Sequence, residues 1–177
     1  MDLASVTVGW QYLTQAIDEA GTQHYLLARL RQRTISLTTR ADYAFSPQLT
    51  VQMYLQPYLG AGRFDRLAAA TAGGHYAQIE TVDAEHAQTT DVGWLVDVGG
   101  RSRILVPLPD FNARKLNGSA VLRWEYRAGS ELYLVWTQSR TGSAANGTLA
   151  VGRDVAALFQ SPPRNVLLAK ASYYWEP

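Results

Sequence analysis

The amino-acid sequence predicts an all-β protein, an antiparallel meander of about eight to ten strands with one short helix near residues 153–160. Two observations predict this fold class. Hydrophobic residues recur at every second position through most of the chain, which is the spacing of a strand with two different faces. Turn-forming pairs, such as Ser46–Pro47 and Ala128–Gly129, separate the alternating segments. Because 177 residues suit one domain, residues 1–177 are predicted to form a single β-barrel-like domain.

The first half of the chain shows the alternation most clearly. Apolar side chains occupy odd positions from Thr34 to Phe45, and again after a turn from Leu49 to Pro57. From Leu26 to Arg31 they occupy even positions instead. This change of parity predicts a bulge or a turn between Gln32 and Thr34. The stretch RFDRLAAATAGG, which begins at Arg63, predicts a short helix or a surface loop.

The second half of the chain contains further alternating segments. Strands are predicted at Val92–Val98, Arg103–Leu108, Ser119–Arg127, Glu131–Arg140 and Asn165–Trp175. Two of these strands have about ten residues, and a tilted strand needs ~9–11 residues to cross a bilayer. Tight turns and long connections both occur between the strands, an asymmetry that is typical of barrels in outer membranes.

Composition excludes several classes of function. With a net charge of +1 and 18% charged residues, nothing favours nucleic acid as a partner, and we predict none. The chain has no cysteine, which excludes disulfides, thiolate metal sites and cysteine nucleophiles. The sequence contains no apolar run near the ~20 residues of a membrane-spanning helix. Its first residues show no basic segment followed by an apolar one, so they do not resemble a secretory signal.

Charges inside the predicted strands define two candidate faces. An arginine that faces lipid near the bilayer midplane costs about 2–4 kcal/mol, so charges in membrane strands are expected to face the lumen. The lumen-facing candidates are Arg29, Arg31, Arg40, Asp42, Arg123 and Glu125. The lipid-facing candidates are Leu122, Trp124, Tyr126, Leu134, Trp136, Tyr173 and Trp175. A soluble sandwich or lipocalin-like barrel that binds a small apolar ligand would show the same periodicity, with the apolar face as its core.

Candidate catalytic chemistry is sparse. The stretch HYAQIETVDAEH, His75–His86, offers metal-ligand side chains, but their spacing matches no zinc motif, which favours an ordinary solvated loop. No serine has a distinctive motif around it, so we assign no catalytic residue and predict no enzyme. A barrel-embedded hydrolase remains a third alternative because a triad assembles in space. We predict no metal and no cofactor.

The segment DFNARKLNGSAVLRWEYRAGSELYLVWTQSR, Asp110–Arg140, resembles a family of large bacterial envelope proteins of unknown function. In that family an N-terminal carbohydrate-binding-type module precedes a C-terminal domain similar to an outer-membrane β-barrel, and the match is to the C-terminal domain. Arg33–Phe64, Gly152–Phe159 and Asn165–Trp175 match as well. The resemblance thus covers most of the chain, and LRWEY and LVW are its most specific parts.

The resemblance implies a place and an architecture but no catalytic residues. It implies the bacterial outer membrane, with lipid and the barrel-assembly machinery as partners, and carbohydrate bound through a module that these residues do not contain. The alternating last strand, which ends on the aromatic Trp175, is similar to a barrel-assembly signal, with Glu176 and Pro177 as a departure. We therefore expect a C-terminal fragment of a longer protein that serves envelope anchoring or passage linked to carbohydrate use.

Overall fold

A computed structural model of the chain describes residues 4–17, 19–71, 80–81, 86–97, 103–107 and 109–175. Its elements are β1 (Ala4–Ile17), β2 (Gln23–Ser36), β3 (Thr39–Ser46), β4 (Leu49–Thr71), β5 (Glu80–Thr81), β6 (Ala87–Thr89), β7 (Gly93–Asp97), β8 (Arg103–Pro107), β9 (Phe111–Arg127), β10 (Ser130–Ala144), α1 (Val151–Gln160) and β11 (Arg164–Ser172). They form an eight-stranded antiparallel sheet, the large sheet, and a three-stranded one, the small sheet β6–β7–β8. The predicted antiparallel all-β fold and the short helix are confirmed. Over the described residues the large sheet is not closed into a barrel.

Strand β4 is the central element of the large sheet. It has 23 residues, and its first half pairs with β3 on one side and β9 on the other. Its second half pairs with β2 and β5. Strand β1 extends the sheet beyond β2, while β10 and β11 extend it beyond β9. The order β1-β2-β4-β9-β10-β11 therefore leaves β1 and β11 at opposite edges.

The connections differ between the two ends of the large sheet. Two-residue turns at 47–48 and 128–129 join β3 to β4 and β9 to β10, and the pairing of Leu49 with Trp124 places both turns at one end. Gly129 has φ +73°, a backbone conformation that favours glycine, so it suits this tight turn. The connections from β4 to β9 and from β10 to β11 leave from the opposite end and are much longer.

A hydrophobic core lies between the small sheet and one face of the large sheet. Leu26 and Ala28 of β2 and Leu67 of β4 pack there against Trp94 and Val96 of the small sheet. This packing accounts for the even parity of the apolar residues in β2. The predicted bulge or turn between residues 32 and 34 is wrong, because β2 pairs with β4 in continuous register from Leu30 to Ser36.

The predicted helix or loop at the start of RFDRLAAATAGG is also wrong, because β4 continues to Thr71. Pairing with β2 outweighs the helical propensity of its alanines. The register shifts between Ala28 and Leu30 of β2, where Asp65 accepts a hydrogen bond from Arg29 Nε at 2.7 Å. Arg31 Nε lies 2.7 Å from the same carboxylate. The bond from Arg29 holds the pKa of Asp65 below its usual value.

Gly93→Ala is expected to lower the free energy of unfolding by about 2–3 kcal/mol, since a crowded site must shift to admit an added methyl group. A Cβ at Gly93 would lie 2.2 Å from the carbonyl oxygen of Val106 on the paired strand. Denaturant unfolding followed by circular dichroism measures the change. Gly9→Ala in β1 is the control, because nothing lies within 4 Å of its added Cβ. Equal losses in both variants would contradict the close approach of β7 and β8.

Candidate functional site

The half of the large sheet nearest the tight turns has two chemically different faces. Paired residues of neighbouring strands share a face, and successive residues alternate. One face, the apolar face, contains Ala41, Tyr43, Leu49, Val51, Met53, Leu55, Ala120, Leu122, Trp124, Leu132, Leu134, Trp136, Leu167, Ala169 and Ala171. These residues come from five adjacent strands, β3, β4, β9, β10 and β11.

Much of the apolar face is exposed. Leu167 is 74% exposed, Tyr43 60% and Trp124 46%. Contiguous apolar surface of this kind on a protein marks a place that a partner or a membrane covers. The apolar face is therefore the first component of the candidate site.

Aromatic side chains gather at the tight-turn end of the apolar face. The group, named the aromatic girdle, comprises Tyr43, Phe45, Trp124, Tyr126, Tyr173 and Trp175. Its rings pair: the centroids of Tyr43 and Phe45 are 4.7 Å apart, and those of Trp124 and Tyr126 are 6.0 Å apart. The Tyr126 hydroxyl donates a hydrogen bond to the Ser172 carbonyl at 3.0 Å. The girdle thus ties the ends of β9 and β11 together.

The opposite face, the polar face, contains two depressions. A groove of about 540 Å³ runs over β3, β4, β9 and β10, with Asp42, Gln52, Arg123 and Tyr133 among its lining residues. A second depression of about 390 Å³ over β4, β9, β10 and β11 is lined by side chains that include Ser119. Both depressions lie on the polar face.

Two arginines on the polar face have partners there. Arg123 Nε donates to Glu131 Oε1 at 3.0 Å, and the Tyr133 hydroxyl donates to Glu131 Oε2 at 3.0 Å. The Arg40 guanidinium lies 5.6 Å from the centroid of the Tyr54 ring. Partly exposed ion pairs of this kind contribute at most about 1 kcal/mol. Their main effect is to make the groove hydrophilic.

Most of the sequence-predicted site residues lie on two faces as grouped. Leu122, Trp124, Leu134 and Trp136 lie on the apolar face, and Tyr126, Tyr173 and Trp175 belong to its girdle. Arg40, Asp42, Arg123 and Glu125 lie on the polar face.

Arg29 and Arg31 lie on the opposite side of the sheet from the other charged candidates. The prediction that all six share one face therefore needs correction. Arg31 pairs with Arg63, and two residues further along β2 Arg33 pairs with Ala61. Ala61 pairs in turn with Asn112, which lies beneath α1 on the side of the apolar face. The physical reason is that β2 does not change parity, so both arginines stay on that side, where they hold Asp65.

Helix α1 lies on the apolar-face side of the large sheet, at the end away from the tight turns. Leu158 packs there against Leu59 and Leu116. Asp154 is fully buried and accepts hydrogen bonds from Asn112 Nδ2 at 3.0 Å and from the Ala150 amide at 2.8 Å. Arg153 Nε donates to the same carboxylate at 2.9 Å. Burial alone would raise the pKa of Asp154, but these bonds outweigh it and hold the pKa below its usual value.

Other kinds of site receive no support from the structure. Among the described residues, no group of three or more His, Asp or Glu side chains could hold a metal ion. Most of the stretch His75–His86 lies outside the described residues. No helix in the described part of the chain is long and apolar enough to cross a bilayer.

Comparison with known proteins gives no relative from which a function could be transferred. No protein-family model, curated protein or solved structure matches the chain. The fold and the two faces define the class, an antiparallel β protein with one apolar and one polar sheet surface. Function must therefore be inferred from the geometry of these two surfaces.

Proposed function

We propose that this half of the large sheet is part of the wall of an outer-membrane β-barrel, with the apolar face toward lipid and the polar face toward a hydrated lumen. One observation carries the proposal. Apolar side chains of five adjacent strands lie together and exposed on one face, while the opposite face has charged side chains and a groove. Barrel strands in membranes alternate apolar-out and polar-in in this way.

The dimensions of the apolar face support the proposal. On the same side of β4, the span from Leu49 to Leu59, which α1 covers, is ten steps, about 33 Å at 3.3 Å per residue. A tilt of about 45° reduces this to about 23 Å, close to the ~25 Å apolar band of outer-membrane barrels. Strands β9 and β10 have 17 and 15 residues. Strands of globular proteins usually have ~5–6 residues.

The two ends of the sheet also fit this orientation. The tight turns and the aromatic girdle share one end, and the long connections share the other. Outer-membrane barrels have short turns on the periplasmic side, long loops outside, and aromatic residues at the membrane–water interfaces. The tight-turn end would thus face the periplasm.

The free edges indicate how such a wall would close. Each strand along the path from β1 to β11 is antiparallel to the next, so β1 and β11 run in opposite directions. Further strands that close the barrel would meet both edges in the antiparallel pairing that these barrels use. Anchoring or passage linked to carbohydrate use is the role that the family resemblance adds to this architecture.

Fluorescence in lipid vesicles tests the proposal. The protein is refolded from urea into phosphatidylcholine vesicles whose acyl chains carry bromine, a contact quencher of tryptophan. We expect Trp124→Phe and Trp136→Phe each to reduce the quenched fraction of the emission, because both side chains lie on the exposed apolar face. Trp94→Phe is the control, since Trp94 of the small sheet is buried against the large sheet.

Two results would refute this orientation. One is quenching that Trp94→Phe reduces as strongly as Trp124→Phe does. The other is a folded protein that stays in buffer without detergent and does not associate with vesicles. The second result would favour a sandwich whose apolar face is covered by further protein.

A further inference from the structure

Helix α1 buries a carboxylate beside Leu158 and leaves other apolar side chains exposed. Helices on a water-exposed surface bury their apolar stripe and expose their charges. On α1 the carboxylate of Asp154 is fully buried, while Val151, Val155 and Phe159 are exposed. These three residues are spaced by four positions and therefore form one stripe along the helix. This apolar stripe lies on the flank of α1, next to the buried side of the helix.

The charges of α1 do not interrupt that stripe. Its charged residues are Arg153 and Asp154, and Arg153 Nη2 and Asp154 Oδ1 form an ion pair at 2.9 Å. Arg153 Nη2 also donates to the Thr148 carbonyl at 2.6 Å, which draws the guanidinium back toward the loop before the helix. Asp154 is held from beneath by Asn112 of β9. Both charges are thus paired within the protein, with Arg153 half-exposed and Asp154 buried.

The position of α1 places the stripe beside the far end of the apolar face. Leu158 contacts Leu59 of β4 and Leu116 of β9, on the same side of the sheet as the apolar face and at its far end from the aromatic girdle. The guanidinium of Arg140 on β10 lies 5.6 Å from the centroid of the Phe159 ring. A cation beside an aromatic ring suits the interface, where lipid phosphates lie next to acyl chains.

We propose that α1 lies in the plane of the membrane surface, with Val151, Val155 and Phe159 in contact with lipid at the boundary between headgroups and acyl chains. This assignment rests on the proposed barrel wall. The girdle and α1 then mark the two membrane interfaces. Ten residues of β4 separate them, which is about 33 Å along the strand at 3.3 Å per residue. In-plane helices of this kind insert an apolar stripe a few ångströms into the interface.

Single-cysteine labelling tests the depth of α1, and the chain has no native cysteine to interfere. Val155→Cys and Phe159→Cys place a nitroxide on the stripe. Leu134→Cys marks the middle of the apolar face, and Gln88→Cys marks an exposed position of the small sheet. Each protein is refolded into vesicles of phosphatidylcholine with phosphatidylglycerol. Collision of the label with oxygen, which dissolves in lipid, is compared with collision with a water-soluble nickel complex.

We expect the oxygen-to-nickel ratio to be highest at residue 134, intermediate at residues 155 and 159, and lowest at residue 88. If residues 155 and 159 match residue 88 while residue 134 reports lipid, the inference about α1 is overturned and the barrel wall stands. If residue 134 also matches residue 88, the proposed function fails, and the inference fails with it. The label at residue 155 could also be protected from the nickel complex without lipid, to a degree that rises with protein concentration. This result would show that a second copy of the chain covers the stripe, and it also overturns the inference.

Discussion

Leu134→Arg is expected to lower the free energy of unfolding from lipid vesicles by about 2–4 kcal/mol, the cost of a lipid-facing arginine near the midplane. Leu134 lies in the middle of the apolar face, where it is 38% exposed and pairs with Leu122 and Ala169. The guanidinium there would contact acyl chains and have no acidic neighbour on that face. Urea titration of the vesicle-inserted protein, followed by tryptophan emission, measures the loss.

Val135→Arg is the matched control for this prediction. Val135 is the next residue of the same strand and faces the polar side, where it is half-buried. Its arginine can reach water in the concave groove, so we expect a loss of less than about 1 kcal/mol, typical of substitutions away from packed sites. If water covered both faces, Leu134→Arg would lower the free energy of unfolding as little as Val135→Arg does. Equal small losses would therefore contradict the assignment of the apolar face to lipid.

Asp154→Ala is expected to lower the free energy of unfolding by about 3 kcal/mol, because removal of one partner leaves a buried polar network unpaired. The Asn112 amide, the Ala150 amide and the Arg153 guanidinium would each lose an acceptor. Gly152→Ala is the control on the same helix, since nothing lies within 4 Å of its added Cβ. Alanine is the better helix former there, so the control should be neutral or stabilising by up to about 1 kcal/mol. Equal effects of the two substitutions would show that the network does not hold α1.

The pH dependence of this effect follows from the lowered pKa of Asp154. A carboxyl group whose pKa falls on folding contributes stability that is fully present above its ordinary value, 3.8 for this residue. That contribution is lost as the pH falls through the lowered value. The difference in unfolding free energy between the wild type and Asp154→Ala should therefore stay constant at neutral pH and shrink only below about pH 4. A difference that shrinks between pH 8 and pH 6 would rule out this carboxylate as the cause.

Local patterns predicted the parts of the fold in which each strand has one apolar face throughout. The alternation from Leu49 to Pro57 and from Ser119 to Arg127 is observed as paired strands. Two predictions failed where a distant element decides the conformation. The apolar residues at even positions of β2 face the small sheet, and the alanine-rich end of β4 is extended because β2 pairs with it.

The same distinction applies to the candidate site. Alternation alone placed Leu122, Trp124 and Leu134 on one face, since a period of two needs no knowledge of the partner strand. It did not identify Asp65 as the partner of Arg29, which is 36 residues away in sequence. The bond between Asn112 and Asp154 spans 42 residues and was missed for the same reason. A carboxylate in the first turn of a predicted helix was the one local signal available.

The two halves of strand β4 bury opposite faces of the strand. Correct packing of one half therefore depends on correct alignment of the other. Leu59 faces α1, whereas Leu67 faces the small sheet, and the register shift beside Asp65 sets the phase between them. Because side chains alternate, a slip of one residue would turn both leucines away from their partners at once. Misaligned hairpins formed during folding would thus gain neither core. Correct alignment of β4 is thus stabilised by packing in two distant regions, and a misaligned strand loses both.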